Sequence, residues 1–203
     1  MKNKIFLVVM AGALLLSMNV MPQQTATGHA VDLGLSVNWS DCNIGAIEPD
    51  DYGSLFSWEE FEKELYPEWL TNYPSNAAYV NISATKHDFA TIKWGGDWRL
   101  PTRDECLELL EKCQWRWMSE NGVYGMKVVG PNGNSIFLPA SGYRKGKLIL
   151  DQGKYGHYWS GTLTNDYGHY SFEMCFANNG NYWAFNHRNW SIGAIRPVKV
   201  STN

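Results

Sequence analysis

Apolar and polar residues alternate over residues 170–177, in the last quarter of the chain. Phe172, Met174 and Phe176 recur at every second position, and residues of other character, such as Glu173, stand between them. A period of two is typical of a β-strand, because successive side chains of a strand point to opposite faces. The pattern therefore predicts a strand with one continuous apolar face.

Short apolar runs between turn residues predict further strands. They cover residues 31–39, 123–129, 135–138, 156–161 and 182–185. The loop of residues 130–134 contains Asn-Gly and predicts a hairpin between its two flanking strands. Asn121-Gly122 is a second turn signal, and residues 178–181 are a third.

A helical period appears directly after Pro101. Thr102 and Glu105 fit a capping box, in which each side chain bonds the backbone amide of the other residue. Cys106 and Leu109 then begin an apolar face at helical spacing. The pattern predicts a helix of about three turns that starts at Thr102, with the tryptophans just before it buried.

Two other segments have weaker helical signals. Ser57 and Glu60 fit a second capping box, which predicts a short helix to about Leu65. Residues 86–93 predict a helical turn. Residues 66–84, between these segments, are rich in proline, asparagine and tyrosine, and they predict a loop-rich insert.

The N-terminus has the pattern of a secretory signal peptide. Lys2 and Lys4 precede an apolar run over residues 5–20, and polar residues follow it. We therefore expect residues 1–30 to be a signal peptide and short leader, and residues 31–203 to be a single domain. The predicted location is the periplasm, the cell surface or the medium. An uncleaved N-terminal anchor is the alternative, and the cleavage position stays open.

Composition narrows the class of partner. Hydrophobic residues make up 44% of the chain and charged residues 18%, which is a globular balance. The ten tryptophans, eleven tyrosines and nineteen glycines indicate a fold with many turns and much aromatic packing. The net charge of −3 supplies no basic surface, so we expect no nucleic-acid partner.

Export makes disulfides possible for the four cysteines. Cys106 and Cys113 lie on the predicted helix, about 10 Å apart along its axis. A disulfide requires α-carbons within roughly 7 Å, so these two are not expected to pair with each other. Each is left to pair with Cys42 or Cys175, or to stay reduced in the core.

Four stretches carry a family resemblance. They are VDLGLSVNWSDCNIGA at 31–46, WGGDWRLPTRDE at 94–105, NGVYGMKVVGPNGNSIFLPASGYR at 121–144 and GAIRPV at 193–198. Together they resemble the Fibrobacter succinogenes major paralogous domain, and the second is similar to formylglycine-generating sulfatase-modifying enzymes. The resemblance implies an α+β, C-type-lectin-like fold over about residues 31–200, with two helices, small antiparallel sheets and long loops.

The same resemblance bears on catalysis and metals. The sulfatase-modifying oxidases use two neighbouring cysteines near the end of this fold, whereas the matching region here has Cys175 alone. Glu48-Pro49-Asp50 lies too early in the chain for the calcium loop of a lectin, and the histidines accompany no nucleophile motif. We therefore predict no catalytic residue, no metal and no cofactor.

Polar and aromatic residues crowd the predicted loops of residues 161–190. Such residues make adaptable contact surfaces, and we predict that these loops present them to an extracellular glycan or protein. The predicted ligand-binding residues are Asn165, Asp166, Tyr167, His169, Asn178, Asn179, Asn181, Tyr182, Asn186, His187, Asn189 and Trp190. A structural envelope protein without a ligand is the alternative; an enzyme related to the formylglycine-generating oxidases is disfavoured.

Overall fold

A computed structural model describes residues 28–57, 79–164, 170–187 and 192–201, with the backbone alone for Thr164 and residues 181–187. The strands are β1 (Ala30–Val31), β2 (Val37–Ser40), β3 (Phe56–Ser57), β4 (Tyr79–Asn81), β5 (Gln114–Glu120), β6 (Val123–Val129), β7 (Ser135–Pro139), β8 (Tyr143–Lys145), β9 (Leu148–Leu150), β10 (Tyr155–Thr164), β11 (Tyr170–Ala177), β12 (Gly180–His187), β13 (Ile192–Gly193) and β14 (Val198–Val200). The helices are α1 (Phe89–Trp94) and α2 (Arg103–Lys112). None of the helices so described is long and apolar enough to cross a membrane.

Five small antiparallel sheets dominate the structure. Their strand orders are β1-β2-β14, β12-β11-β10-β4, β13-β3, β5-β6-β7 and β8-β9. Strand accounts for 46% of the structure and helix for only 12%. The prediction of an α+β, C-type-lectin-like fold is therefore wrong, and the protein is β-rich. The small antiparallel sheets were predicted correctly, but the two helices of the described ranges are too short to form a layer of their own.

The alternating segment of residues 170–177 forms β11, between β10 and β12 in its sheet. Phe172, Met174 and Phe176 are fully buried and pack into the larger hydrophobic cluster with Trp39 and Val198. The predicted apolar face is thus confirmed. This contact joins the four-stranded sheet to the sheet that contains β2 and β14.

A three-stranded meander, β5-β6-β7, follows α2. The predicted hairpin of β6 and β7 is confirmed, and β5 adds a strand to it that was not predicted. The connection between β5 and β6 is Asn121-Gly122, with φ values of +48° and +86°. Two successive positive φ values are typical of the type I′ turn, which favours Asn-Gly.

The predicted strand over residues 31–39 is divided into β1 and β2. Between them the Asp32 carboxylate accepts a hydrogen bond from the Gly34 amide, at 2.7 Å. Gly34 has a φ of +74°, which bends the chain away from an extended path. The side chain of Asp32 therefore competes with the sheet for the backbone and ends β1.

Helix α2 begins with the predicted capping box. The Glu105 amide donates to Thr102 Oγ1 at 3.2 Å, and the Thr102 amide donates to Glu105 Oε2 at 2.8 Å. Arg99 holds the same carboxylate through both terminal nitrogens. Trp98, just before the helix, is buried as predicted, whereas Trp94 is only half-buried. Local sequence therefore determined where this helix starts.

Removal of the Thr102 hydroxyl tests the capping box. We expect Thr102→Ala to lower the free energy of unfolding by about 1 kcal/mol, because the Glu105 amide loses its acceptor. Ser119→Ala, at an exposed position of β5, is the control and is expected to change it by less than about 0.5 kcal/mol. Equal unfolding midpoints for the two variants in urea would contradict a stabilising cap.

The other predicted helices have different outcomes. The turn predicted at 86–93 is confirmed as α1, shifted by a few residues, with Asp88 as its N-cap. Ser57 lies in β3 rather than at a helix start, and the remainder of that predicted helix lies outside the described residues. The predicted loop of residues 66–84 includes β4, which pairs with β10.

A polar network around Arg196 lies inside the fold. The Arg196 side chain donates from Nε to Asn43 Oδ1 at 2.8 Å and from its terminal nitrogens to the carbonyl oxygens of Ser40 and Phe137, at 3.1 and 2.9 Å. Asn43 in turn donates to the Tyr158 hydroxyl at 3.2 Å. Burial lowers the pKa of Arg196. One side chain thus connects three distant chain segments.

The four cysteines are free thiols. Cys42, Cys106 and Cys175 are buried, and Cys113 is partly exposed at the end of α2. Burial raises the pKa of Cys42 to about 12 and that of Cys113 to about 11. Of the alternatives that the sequence left open, the structure matches reduced cysteines.

Candidate functional site

The residues predicted to bind a ligand fall into three groups in the structure. Asn178 and Asn179 form the exposed turn between β11 and β12. Asn181, Tyr182, Asn186 and His187 belong to β12, a regular strand paired along its length with β11. Asn165, Asp166, Tyr167, His169, Asn189 and Trp190 lie outside the described residues. The structure therefore confirms the strands predicted at 170–177 and 182–185, and it places Asn181, Tyr182, Asn186 and His187 in a strand rather than in a loop.

A surface groove lies against the first of these groups. Its volume is about 380 Å³, and we call it the aromatic groove. It is lined by Trp117, Tyr124, Gly153, Lys154, Tyr155 and Asn178. The groove is therefore formed where the β5-β6 hairpin, the turn before β10 and the β11-β12 turn come together.

Trp117 and Tyr124 form one wall of the aromatic groove. Their rings are stacked, with centroids 6.2 Å apart and planes inclined by 12°. Register explains the contact: Trp117 is opposite Met126 and Tyr124 is opposite Ser119, so the two aromatic residues are diagonal neighbours across the strands. Tyr124 is 51% exposed, which leaves an aromatic surface open to solvent.

The opposite side of the groove is built on a tight turn. Asp151 has a φ of +53° and Gly153 one of +77°. The Asp151 carbonyl accepts hydrogen bonds from the amides of Lys154 and Tyr155, at 3.0 and 3.1 Å. The turn therefore holds Lys154 and the 41% exposed Tyr155 next to the groove.

The groove combines the groups that bind a polar ligand with apolar faces. Aromatic rings offer flat apolar area, Asn178 offers both donors and an acceptor, and Lys154 offers a positive charge. Lys154 Nζ lies 3.6 Å from Asp151 Oδ1 at high exposure, which leaves the ammonium group accessible to a ligand. The arrangement suits recognition; general acid–base chemistry would require a positioned catalytic pair.

Four residues of the groove were not predicted from the sequence: Trp117, Tyr124, Lys154 and Tyr155. They come from separate segments, and the turns and sheet pairings bring them to Asn178, the one predicted residue among the described residues that line the groove. A usable signal existed in the aromatic-rich stretch around residue 117, just before Asn121-Gly122. Two aromatic residues that flank such a turn at diagonal positions are expected to meet across the hairpin.

A second feature lies outside the groove. Over the described ranges, one group of His, Cys and carboxylate side chains brings its potential ligand atoms within 4.8 Å of one another: His157, Glu173 and Cys175. The sequence predicted no metal, and it considered Cys175 as a possible disulfide partner or as a cysteine without a second one beside it. The register of β10 against β11 places His157 opposite Cys175, which the sequence pattern alone did not reveal.

Comparison with known proteins identifies no relative that could show the role of the aromatic groove or of the His157, Glu173 and Cys175 group. The chain matches no family model, no curated protein and no solved structure. The resemblance to the Fibrobacter succinogenes major paralogous domain therefore stays a prediction. The site has to be judged by its own geometry.

Proposed function

We propose that the protein is an exported, non-catalytic binding module that takes a glycan or a protein ligand in the aromatic groove. The observation that carries this proposal is the stack of the half-buried Trp117 and the exposed Tyr124 beside Asn178. Asn178 belongs to the segment of residues 161–190 that the sequence predicted to face a ligand. The proposal keeps that segment but extends the site to the meander and to the turn before β10.

A glycan fits this chemistry well. A sugar ring has an apolar C–H face and a rim of hydroxyl groups, and the groove offers aromatic faces next to amide and ammonium groups. Aromatic contacts contribute through buried apolar area, while a few placed polar groups fix orientation. The openness of the groove to solvent at Tyr124 and Tyr155 suits a ligand that is part of a longer chain.

An array of glycans and extracellular proteins tests the proposal. We expect Tyr124→Ala to weaken binding about tenfold, because a lost aromatic contact costs on the order of 1 kcal/mol. Tyr79→Ala is the matched control: Tyr79 is 43% exposed but pairs with the far end of β10, opposite Thr164. Binding by the control is expected to equal that of the unchanged protein.

Three outcomes separate the alternatives. Equal binding by the Tyr124→Ala variant and its control would remove the aromatic groove from the site. Loss of binding in Tyr182→Ala or Trp190→Ala, with Tyr124→Ala unaffected, would move the site to the rest of the 161–190 segment. Absence of binding across a broad array would favour a structural envelope protein.

A further inference from the structure

We propose that His157, Glu173 and Cys175 form a binding site for a zinc-class divalent transition metal, which we call the β10–β11 cluster. The proposal is independent of the aromatic groove. It rests on the geometry of the three side chains, their burial and their ligand types.

Strand register assembles the cluster. His157 on β10 is directly opposite Cys175 on β11, and Trp159 is opposite Glu173. Opposite residues of an antiparallel pair share a face, and so do residues two apart on one strand. His157, Cys175 and Glu173 therefore lie together on the face of the sheet opposite to Phe172, Met174 and Phe176.

The separations between the side-chain atoms are those of ligands around one ion. His157 Nδ1 lies 3.6 Å from Cys175 Sγ and 3.4 Å from Glu173 Oε1. Tetrahedral zinc, with its usual bond lengths to nitrogen, sulfur and oxygen, places nitrogen about 3.6 Å from sulfur and about 3.4 Å from oxygen. All three ligand atoms lie within 4.8 Å of one another, which is close enough for them to share one ion.

The same contacts argue against a thiol–imidazole–carboxylate catalytic relay. In such a relay the nucleophile and the carboxylate bind opposite nitrogens of the imidazole ring. Here the thiol and the carboxylate both approach Nδ1 of His157. That nitrogen has one proton or one lone pair to offer, whereas a cation between the three groups binds all of them at once.

The burial of Glu173 and Cys175 gives an electrostatic reason for a metal ion in the cluster. Glu173 is 0% exposed and Cys175 is 1% exposed. A divalent ion in the cluster would be bound by a carboxylate and a thiolate, and its positive charge would offset the cost of burying both anions. The His157 side chain is 18% exposed, so the cluster lies next to solvent.

The surroundings hold the histidine in place. The Tyr143 ring packs edge-on against the imidazole, with centroids 5.6 Å apart, and the His157 carbonyl accepts from the Ala194 amide at 2.8 Å. A Cβ at Gly193 would lie 3.1 Å from Glu173 Oε1, so glycine at this position leaves space for the carboxylate. The Tyr143 ring therefore restricts the orientation of the imidazole.

Ligand type selects the class of metal. One sulfur, one imidazole nitrogen and one carboxylate oxygen suit zinc and similar borderline ions. Calcium and magnesium require mostly oxygen ligands, which this set does not supply. The cluster therefore points to zinc, with cobalt(II) as a spectroscopic substitute.

Metal titration of the full exported chain tests the proposal. The chelator-treated protein, kept reduced with a non-thiol reductant, is titrated with Zn²⁺ and separately with Co²⁺. We expect one equivalent of bound metal, a sulfur-to-cobalt charge-transfer band and a higher unfolding temperature with zinc. Cys175→Ser is expected to abolish the band, and His157→Gln to weaken binding by more than the roughly 10–100-fold that loss of an outer partner costs.

Cys113→Ser is the matched control, because it removes one partly exposed thiol and leaves the cluster intact. It is expected to bind one equivalent and to keep the charge-transfer band. His157→Gln covers the case in which Cys175→Ser does not fold, since His157 is partly exposed. Failure of the unchanged protein to bind a stoichiometric equivalent would overturn the proposal, as would equal zinc affinity in the His157→Gln variant.

Discussion

Replacement of Arg196 by methionine is expected to lower the free energy of unfolding by about 3–5 kcal/mol. The guanidinium group is fully buried and donates to Asn43 Oδ1 and to the carbonyl oxygens of Ser40 and Phe137. Methionine fills much of the same volume but donates nothing, so three buried acceptors lose their donor. Urea unfolding, followed by tryptophan fluorescence, measures the difference.

Two further variants define the role of Arg196. Arg196→Lys keeps the charge but replaces a planar fork by a single ammonium group, so we expect it to lose most of the same stability. Arg116→Met, on the exposed side of β5, is the control and is expected to change the free energy by less than about 0.5 kcal/mol. A small effect in Arg196→Met, similar to that of the control, would show that the network does not stabilise the fold.

Asp88→Asn is expected to lower the free energy of unfolding by about 2–4 kcal/mol. The Asp88 carboxylate is fully buried and accepts from four backbone amides. Oδ1 accepts from Ala90 and Thr91, at 2.8 and 3.2 Å, and Oδ2 accepts from Ala84 and Leu100, both at 2.8 Å. An asparagine has one acceptor oxygen, so its NH₂ group must face two amide donors.

Asp88 does more than cap α1. Asp88 joins the start of α1 to the chain at Leu100, next to the turn that leads into α2. Asp97→Asn provides the control, because Asp97 is exposed, and it is expected to be nearly neutral in urea unfolding. If Asp88→Asn matched that control, the four amide contacts would contribute little to stability.

The aromatic groove and the β10–β11 cluster differ in what they require of the fold. The groove depends on exposed side chains at the edges of hairpins, where substitution is tolerated. The cluster depends on buried side chains in the middle of β10 and β11, where a substitution also affects packing. Variants of Tyr124 therefore report on binding alone, whereas variants of Cys175 require the Cys113→Ser control.

Local features of the structure were determined by the sequence itself. The capping box of Thr102 and Glu105, the Asn121-Gly122 turn and the apolar face of β11 all depend on residues within a few positions of one another. Their geometry follows from hydrogen bonds and side-chain periods that operate inside one segment. Each of them could therefore be predicted without knowledge of the rest of the chain.

Features that join distant segments were decided only by the tertiary structure. The predicted α+β class was wrong because the balance of strand and helix depends on which segments pair, and β5 forms a strand by joining β6. Trp117, Tyr155 and Asn178 meet because three turns converge, and His157 meets Cys175 because of one particular register. A strand pattern fixes which residues share a face, but pairing energies between distant strands select the partner and the register.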